Sequence, residues 1–286
     1  MISLCSQWFP HALTLRGGAE ISGPGFAALV LLPPTILALT ALCKKALRGT
    51  AVLLAWFFAV IITLCGGLWA FAALAATFVF TMLAGKLSGK TGHRISAKLH
   101  AKAGRRDAVQ IFCNVFVGTL MLLLFALTGQ RAFLWAYGGA MAASLADSMA
   151  SELGVLSKKA PVDILSCKPV EPGMSGGVTL TGLAASLLGA IIIAAFCAPI
   201  TGCGLSLIPD VAAAGFFAAV CDSIFGSAFQ VKYRCPVCAA LTEKKVHCDT
   251  QGQPERGNPC ITNDTINFIN NILGALAALF LYFLHH

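Results

Sequence analysis

The chain has 286 residues, 57% of them hydrophobic and only 11% charged, with a net charge of +8. A soluble domain is about a quarter charged, so this composition excludes an ordinary soluble globular protein. It specifies an all-α polytopic membrane protein.

Residues 1–25 lack the basic stretch, apolar core and cleavage site of a removable leader. They read as an extracytoplasmic N-terminal segment, and 26–286 as a single membrane domain. A spanning helix needs about 20 mostly apolar residues. Eight are predicted, at 26–43, 50–65, 68–85, 107–128, 132–154, 176–198, 205–229 and 263–283. Only Gly66-Gly67 separates the second from the third, so seven spans is the competing count. Pro33-Pro34 should kink the first. Glycine, alanine and serine from Gly138 to Ser144 make the fifth narrow, so a neighbouring backbone can come close.

With eight spans, 18 of the 20 Lys and Arg residues fall on one side of the membrane, leaving only Arg16 and Arg131 opposite. The positive-inside rule makes the rich side cytoplasmic and puts both termini outside. Such a protein belongs in the cell (inner) membrane, with the lipid bilayer as its first partner. The positive charge is then a topology signal, and no nucleic-acid partner is expected.

The polar residues of the spans gather at the cytoplasmic ends. Arg106, Gln110 and Asn114 recur every fourth residue, with Asp107 beside them. Asp147, Ser148, Ser151 and Glu152 close the fifth span, and Asp222, Ser223 and Gln230 the seventh. Asn263, Asp264, Asn267, Asn270 and Asn271 open the eighth. Ionisable groups in a membrane helix are costly and default to a functional hypothesis. Clustered carboxylates would repel unless a hard cation such as Mg²⁺ joined them. The Asp147-Ser148 and Asp222-Ser223 pairs, each following a glycine (Gly139, Gly215), suggest a parallel internal repeat.

The predicted loops add three features. Segment 86–106 carries seven basic residues, including Lys86, Lys90 and Lys102, and no acid. Its start, Ala84 to Thr91, fits a permissive P-loop pattern, but no strand precedes it, as that fold requires. A flexible basic loop contacting phosphates, or anionic lipid, is the expected form. Pro172 to Thr179 places Gly176 and Gly177 just before a helix, where backbone N–H groups can face an anion. Finally, 230–262 reads as a cytoplasmic cysteine-rich insertion. Cys235-x-x-Cys238 and Cys248 suit a structural Zn²⁺, with Cys260 or His247 as the fourth ligand.

Five ordered motifs carry a family resemblance. They are Gly104 to Gln110 with Asn114, Asp147 to Gly154, Pro172 to Val178, Asp222 to Ser227, and Asn263 to Phe268. They resemble those of an integral-membrane family of long-unassigned function that includes animal transmembrane protein 19 and plant chloroplast phytyl-phosphate kinase. The resemblance implies phosphoryl transfer from a nucleoside triphosphate to an isoprenoid monophosphate. On these residues, Asp147, Asp222 and Asp264 would hold Mg²⁺ on the nucleotide. Arg105, Arg106 and Lys102 would neutralise the transferring group. Gln110, Asn114 and Asn267 would orient acceptor oxygens, and Gly176 and Gly177 would donate backbone N–H groups. Ser148, Ser151, Glu152, Lys86 and Lys90 complete the substrate side. A transporter or flippase of a small or lipid-linked anion, and a lipid nucleotidyltransferase, are the alternatives.

Overall fold

A computed structural model describes residues 23–99, 105–201 and 207–285; the N-terminal segment lies outside them. Among the described residues are seven helices: α1 (Gly23–Cys43), α2 (Gly49–Leu99), α3 (Ala108–Thr128), α4 (Ala132–Gly154), α5 (Leu180–Thr201), α6 (Leu207–Ala228) and α7 (Asn263–His285). The protein is therefore a helical membrane bundle, with short strands confined to its connections.

Helix α2 is 51 residues long and is broken at Gly67, where φ is 73° and ψ is −171°. Only glycine adopts that combination without strain. The chain turns back there. Phe58 packs against Phe112 and Phe116, and Gly66 against Leu122, so residues 49–66 run alongside α3 in the same direction. Beyond the break, Ala70 accepts a hydrogen bond from Tyr137 Oη, and Ser88 meets Glu152 at the far end of α4. The two arms thus make separate antiparallel passes, which gives eight passes among the described residues.

Six of the seven helices are long and apolar enough to cross a membrane. The exception is α4, the central one. It packs against α2, α3, α5, α6 and α7, and from Leu134 to Ala146 every residue is buried. A helix surrounded by protein need not satisfy lipid, so it can carry small and polar residues. Gly139 touches the backbone of Gly274 on α7, and Gly215 on α6 abuts Ala142 and Ala143. Amides finish the seam: Asn270 Nδ2 donates to the Ala143 carbonyl and Asn271 Nδ2 to that of Cys113, each at 3.2 Å.

All the helix ends rich in polar residues lie at one end of the bundle. At the opposite end, Asp210, the isolated acid of the outer half, pairs with His285 at 2.8 Å. Helix α1 runs through Pro33 and Pro34, where a kink was expected. The neighbouring Thr35 hydroxyl donates to the Leu31 carbonyl at 2.7 Å.

Two connections differ from expectation. The basic segment after residue 85 is helical as far as Leu99, with a second break at Gly89. Lys, Arg, Ala and Leu are good helix formers, and they extend the span instead of looping out. No strand leads into Ala84–Thr91, so the P-loop fold is not formed. Residues 176–179 are not helical either: β2 (Gly177–Val178) pairs with β1 (Val162–Asp163), and α5 starts at Leu180. The cysteine-rich insertion forms β3 (Lys232–Arg234), β4 (Leu241–Thr242) and β7 (Gln253–Arg256) in one sheet of order β4-β3-β7, with β5 (Val246–His247) and β6 (Thr250–Gln251) as a hairpin beside it.

Gly139→Ala would drive a methyl into the Gly274 backbone, which cannot rotate away as a side chain could. Overpacking of this kind costs about 1–3 kcal/mol. The melting temperature in detergent should fall by several degrees, whereas Gly49→Ala, which meets nothing within 4 Å, should leave it unchanged.

Candidate functional site

At the polar end the helices diverge around one chamber of about 1180 Å³. That exceeds the roughly 300–1,000 Å³ of a single small-molecule site. Its acidic wall holds Asp147, Glu152, Asp222, Glu243 and Asp264, while Lys44, Lys86, Arg106, Lys158 and Lys159 supply positive charge. Charges of both signs from all parts of the chain thus face one volume.

Two of the lining carboxylates lie in electrostatic range of each other. Asp147 lies near the end of α4 and Asp222 near the end of α6, both half-buried. Asp222 feels the negative charges of Asp147 and Glu243. Its Oδ2 is buried and has no hydrogen-bond partner among the described residues. Two facing carboxylates with an unsatisfied oxygen fit a hard divalent cation, which takes one or two protein carboxylates and completes its shell with water and phosphate.

Arg106 faces them. A parallel bridge fixes its backbone: its N–H donates to the Ala46 carbonyl and its carbonyl accepts from Arg48, each at 3.0 Å. Burial lowers the Arg106 guanidinium from its ordinary value, and the charges of Glu152 and Asp147 oppose that shift. Arginine stays charged regardless. Arg105 does not join it: this side chain is exposed and outside the chamber lining. Neighbouring residues of an extended segment point to opposite sides, so one of the pair had to face away.

The remaining residues sort as follows. Ser148, Ser151, Gly176, Gly177, Asn114, Gln110 and Asn267 all line the chamber. Gln110 is partly committed, because its Oε1 accepts from the Asp107 N–H in a capping box that starts α3. Asn114 Nδ2 is spent on the Gln110 carbonyl at 2.9 Å. Ser151 Oγ turns back to the carbonyls of Asp147 and Ser148. Gly177 is no anion donor, since its N–H already closes a turn on the Met174 carbonyl at 2.9 Å. Asn267 Oδ1 is buried without a partner, which leaves it able to accept from a ligand. The side chains of Lys90 and Lys102 lie outside the described residues.

Several lining groups had no sequence signal. Ser88 Oγ donates to Glu152 Oε2 at 3.1 Å. Thr81, a lone hydroxyl in an apolar stretch, is buried against the chamber with its Oγ1 unsatisfied. Glu243 comes from the cysteine-rich insertion and accepts from the Ser175 N–H at 3.0 Å. Behind the glycine turn, Asp163 accepts from the Ser227 hydroxyl (2.6 Å) and from the N–H groups of Ser166 and Leu165. Gly176 sits against Ser227 with φ of 85°, so no side chain fits there.

Cys235, Cys238, His247 and Cys248 form a second constellation, with one ligand atom from each lying within 4.8 Å of the others. The Cys238–Cys248 sulfur separation is 3.8 Å, and His247 Nδ1 lies 3.5 Å and 3.3 Å from those sulfurs. Tetrahedral zinc with Zn–S near 2.3 Å and Zn–N near 2.0 Å has edges of about 3.5–3.8 Å. The cluster is therefore compatible with structural zinc. N–H donation from Cys238, then from the His247 ring, draws the Cys235 thiol down to about 6, toward the thiolate a metal needs. His247 takes the fourth position. Cys260 does not: it lies outside the cluster, on a turn where its N–H bonds Asn258 Oδ1.

A polytopic helical protein with one charged chamber at one end is the class these features define. The chain belongs to the integral membrane protein family DUF92, matching it over residues 32–275. It is 34% identical over 122 residues to uncharacterized membrane protein MJ0933 of Methanocaldococcus jannaschii, covering 42% of this chain and 51% of that one. It is 28% identical to Protein PGR of Arabidopsis thaliana, with 70% and 77% of the two chains covered. Identity to uncharacterized membrane protein sll0875 of Synechocystis is 25%, over 87% and 88%. No solved structure matches the chain.

Burial alone would raise the Asp163 carboxyl, but the bonds from Ser227, Ser166 and Leu165 win and hold it near 2, below its ordinary 3.8. A depressed carboxyl stabilises the fold above its unfolded pKa and loses that contribution as pH falls through the folded value. The 155–179 connection should therefore loosen between about pH 4 and pH 2, read as faster amide exchange. Asp163→Asn should exchange faster already at pH 7 and lose the acid step.

Proposed function

We propose that the protein transfers a phosphoryl group from a nucleoside triphosphate to an isoprenoid (phytyl-like) monophosphate at the chamber, and that the chamber faces the cytoplasm. The observation that carries this reading is that Asp147, Asp222 and Arg106 line one space large enough for two ligands, with Asp147 in electrostatic range of both of the others. An acceptor monophosphate is already an anionic nucleophile, so the protein needs no general base. Its work is positioning and charge neutralisation.

In this scheme Asp147 and Asp222, with Asp264 beside them in the lining, would hold Mg²⁺, which would neutralise charge on the nucleotide phosphates. Arg106 neutralises charge on the transferring group, and Lys86 collects substrate phosphate. Asn267 Oδ1 and Ser148 orient the bound ligands. Placing the chamber on the basic side follows from the distribution of Lys and Arg. The choice of acceptor comes from the motif resemblance to phytyl-phosphate kinase. Among the described residues no matching string of charged groups lies at the opposite end, where Asp210 pairs with His285, which favours chemistry at one face over passage through the bundle.

The four-residue Cys/His cluster, on the same footing, holds one structural Zn²⁺. All four of its positions are filled by protein, as in structural sites, so it has no open position for chemistry.

Purified protein in detergent should convert a prenyl monophosphate to the diphosphate in the presence of Mg²⁺ and a nucleoside triphosphate, followed by mass spectrometry. Asp147→Asn and Asp222→Asn should each lower turnover by about 10²-fold or more. Full activity in either would defeat the metal role. Nucleotide-independent uptake of the anion by liposomes would replace the kinase reading with transport.

A further inference from the structure

Resting on the zinc assignment above, we propose that the metal knuckle is a clasp on the chamber: zinc held by Cys235, Cys238, His247 and Cys248 keeps the Ser175–Gly177 turn in place through Lys232 and Glu243.

The contacts are specific. Lys232 Nζ donates to the Ser175 carbonyl at 2.9 Å, and the Ser175 N–H donates to Glu243 Oε1 at 3.0 Å. One residue thus has both its backbone groups taken by side chains of the cysteine-rich insertion. Both side chains are nearly inaccessible, Lys232 at 2% and Glu243 at 7% exposure. Ser175 adjoins Gly176, which packs on α6 at Ser227, and both line the chamber together with Glu243. The grip therefore sets one wall of the chamber.

Both gripping residues hang from the knuckle. Lys232 opens β3, which runs directly into Cys235. Glu243 follows β4, which pairs with β3, while His247 ends β5. These strands are two to four residues long. Segments this short bury too little apolar surface to hold themselves, and small units of this kind depend on a metal or another staple. A buried lysine and glutamate are tolerated only while they stay paired. Loss of zinc releases the strands, the pairings and then Ser175. The far end of the turn is held independently, since the Gly176 carbonyl accepts from the Ile164 N–H at 2.9 Å and β2 pairs with β1, so the motion is confined to the segment between Pro172 and Gly177.

The test uses the full-length protein in detergent. Zinc is counted by mass spectrometry, and amide exchange is followed across residues 170–178 and along α4. The purified protein should hold one zinc per chain. Stripping with a chelator should speed exchange at 172–178 by about tenfold while leaving α4 unchanged, and added Zn²⁺ should restore it. Lys232→Met keeps every ligand; it should keep its zinc yet exchange as fast as the stripped protein. Unchanged exchange at 172–178 after stripping, or slow exchange in Lys232→Met, overturns the clasp while leaving the zinc site standing. Absence of bound zinc overturns both. Neither readout depends on phosphoryl transfer, so failure of the kinase assay is a separate result.

Discussion

Backbone-to-backbone packing along α4 is the constraint from which the rest of the bundle follows. Gly139 against Gly274 and Gly215 against Ala142 bring three helices closer than larger side chains would allow. Without a hydrophobic drive between helices in lipid, such contacts and interhelical hydrogen bonds supply the association. They also fix depth. Once α4 and α6 meet at Ala142 and Gly215, Asp147, five residues further along, and Asp222, seven further along the parallel helix, arrive within about 3 Å of the same depth. The carboxylates come together because Gly215 lets α6 lock onto α4 upstream of them.

That convergence would be unfavourable without compensation. Two acids at the end of a membrane bundle repel each other and lose hydration. Arg106 supplies part of the answer from the α3 side, and Ser88 hydrogen-bonds Glu152. The unsatisfied Oδ2 of Asp222 leaves the compensation incomplete. The cation proposed above, with its phosphate ligands, would complete it.

How much was legible depends on range. The spans could be read because lipid demands about 20 apolar residues from each helix by itself. The reversal between 65 and 68 was visible as a glycine pair, and the structure places the turn at Gly67. Asp147, Asp222, Asp264 and Arg106 could be named because charge in an apolar context is conspicuous in one dimension. Ser88–Glu152, Ser175–Glu243 and Ser227–Asp163 join residues 64 to 68 apart, and nothing local announces them. Arg105 and Gly177 had the right residue type in the right motif; only backbone direction and an internal turn exclude them from the roles first expected. The choice of His247 over Cys260 likewise needed the β5–β6 hairpin, whose strands are too short to see in sequence.

The account stands on a shared cation at Asp147 and Asp222, and Mn²⁺ substituted for Mg²⁺ measures this without any assumption about the acceptor lipid. Electron paramagnetic resonance of the zinc-loaded protein with nucleotide should count one bound Mn²⁺ per chain, lost when either aspartate becomes asparagine. Binding that survives both substitutions would contradict it.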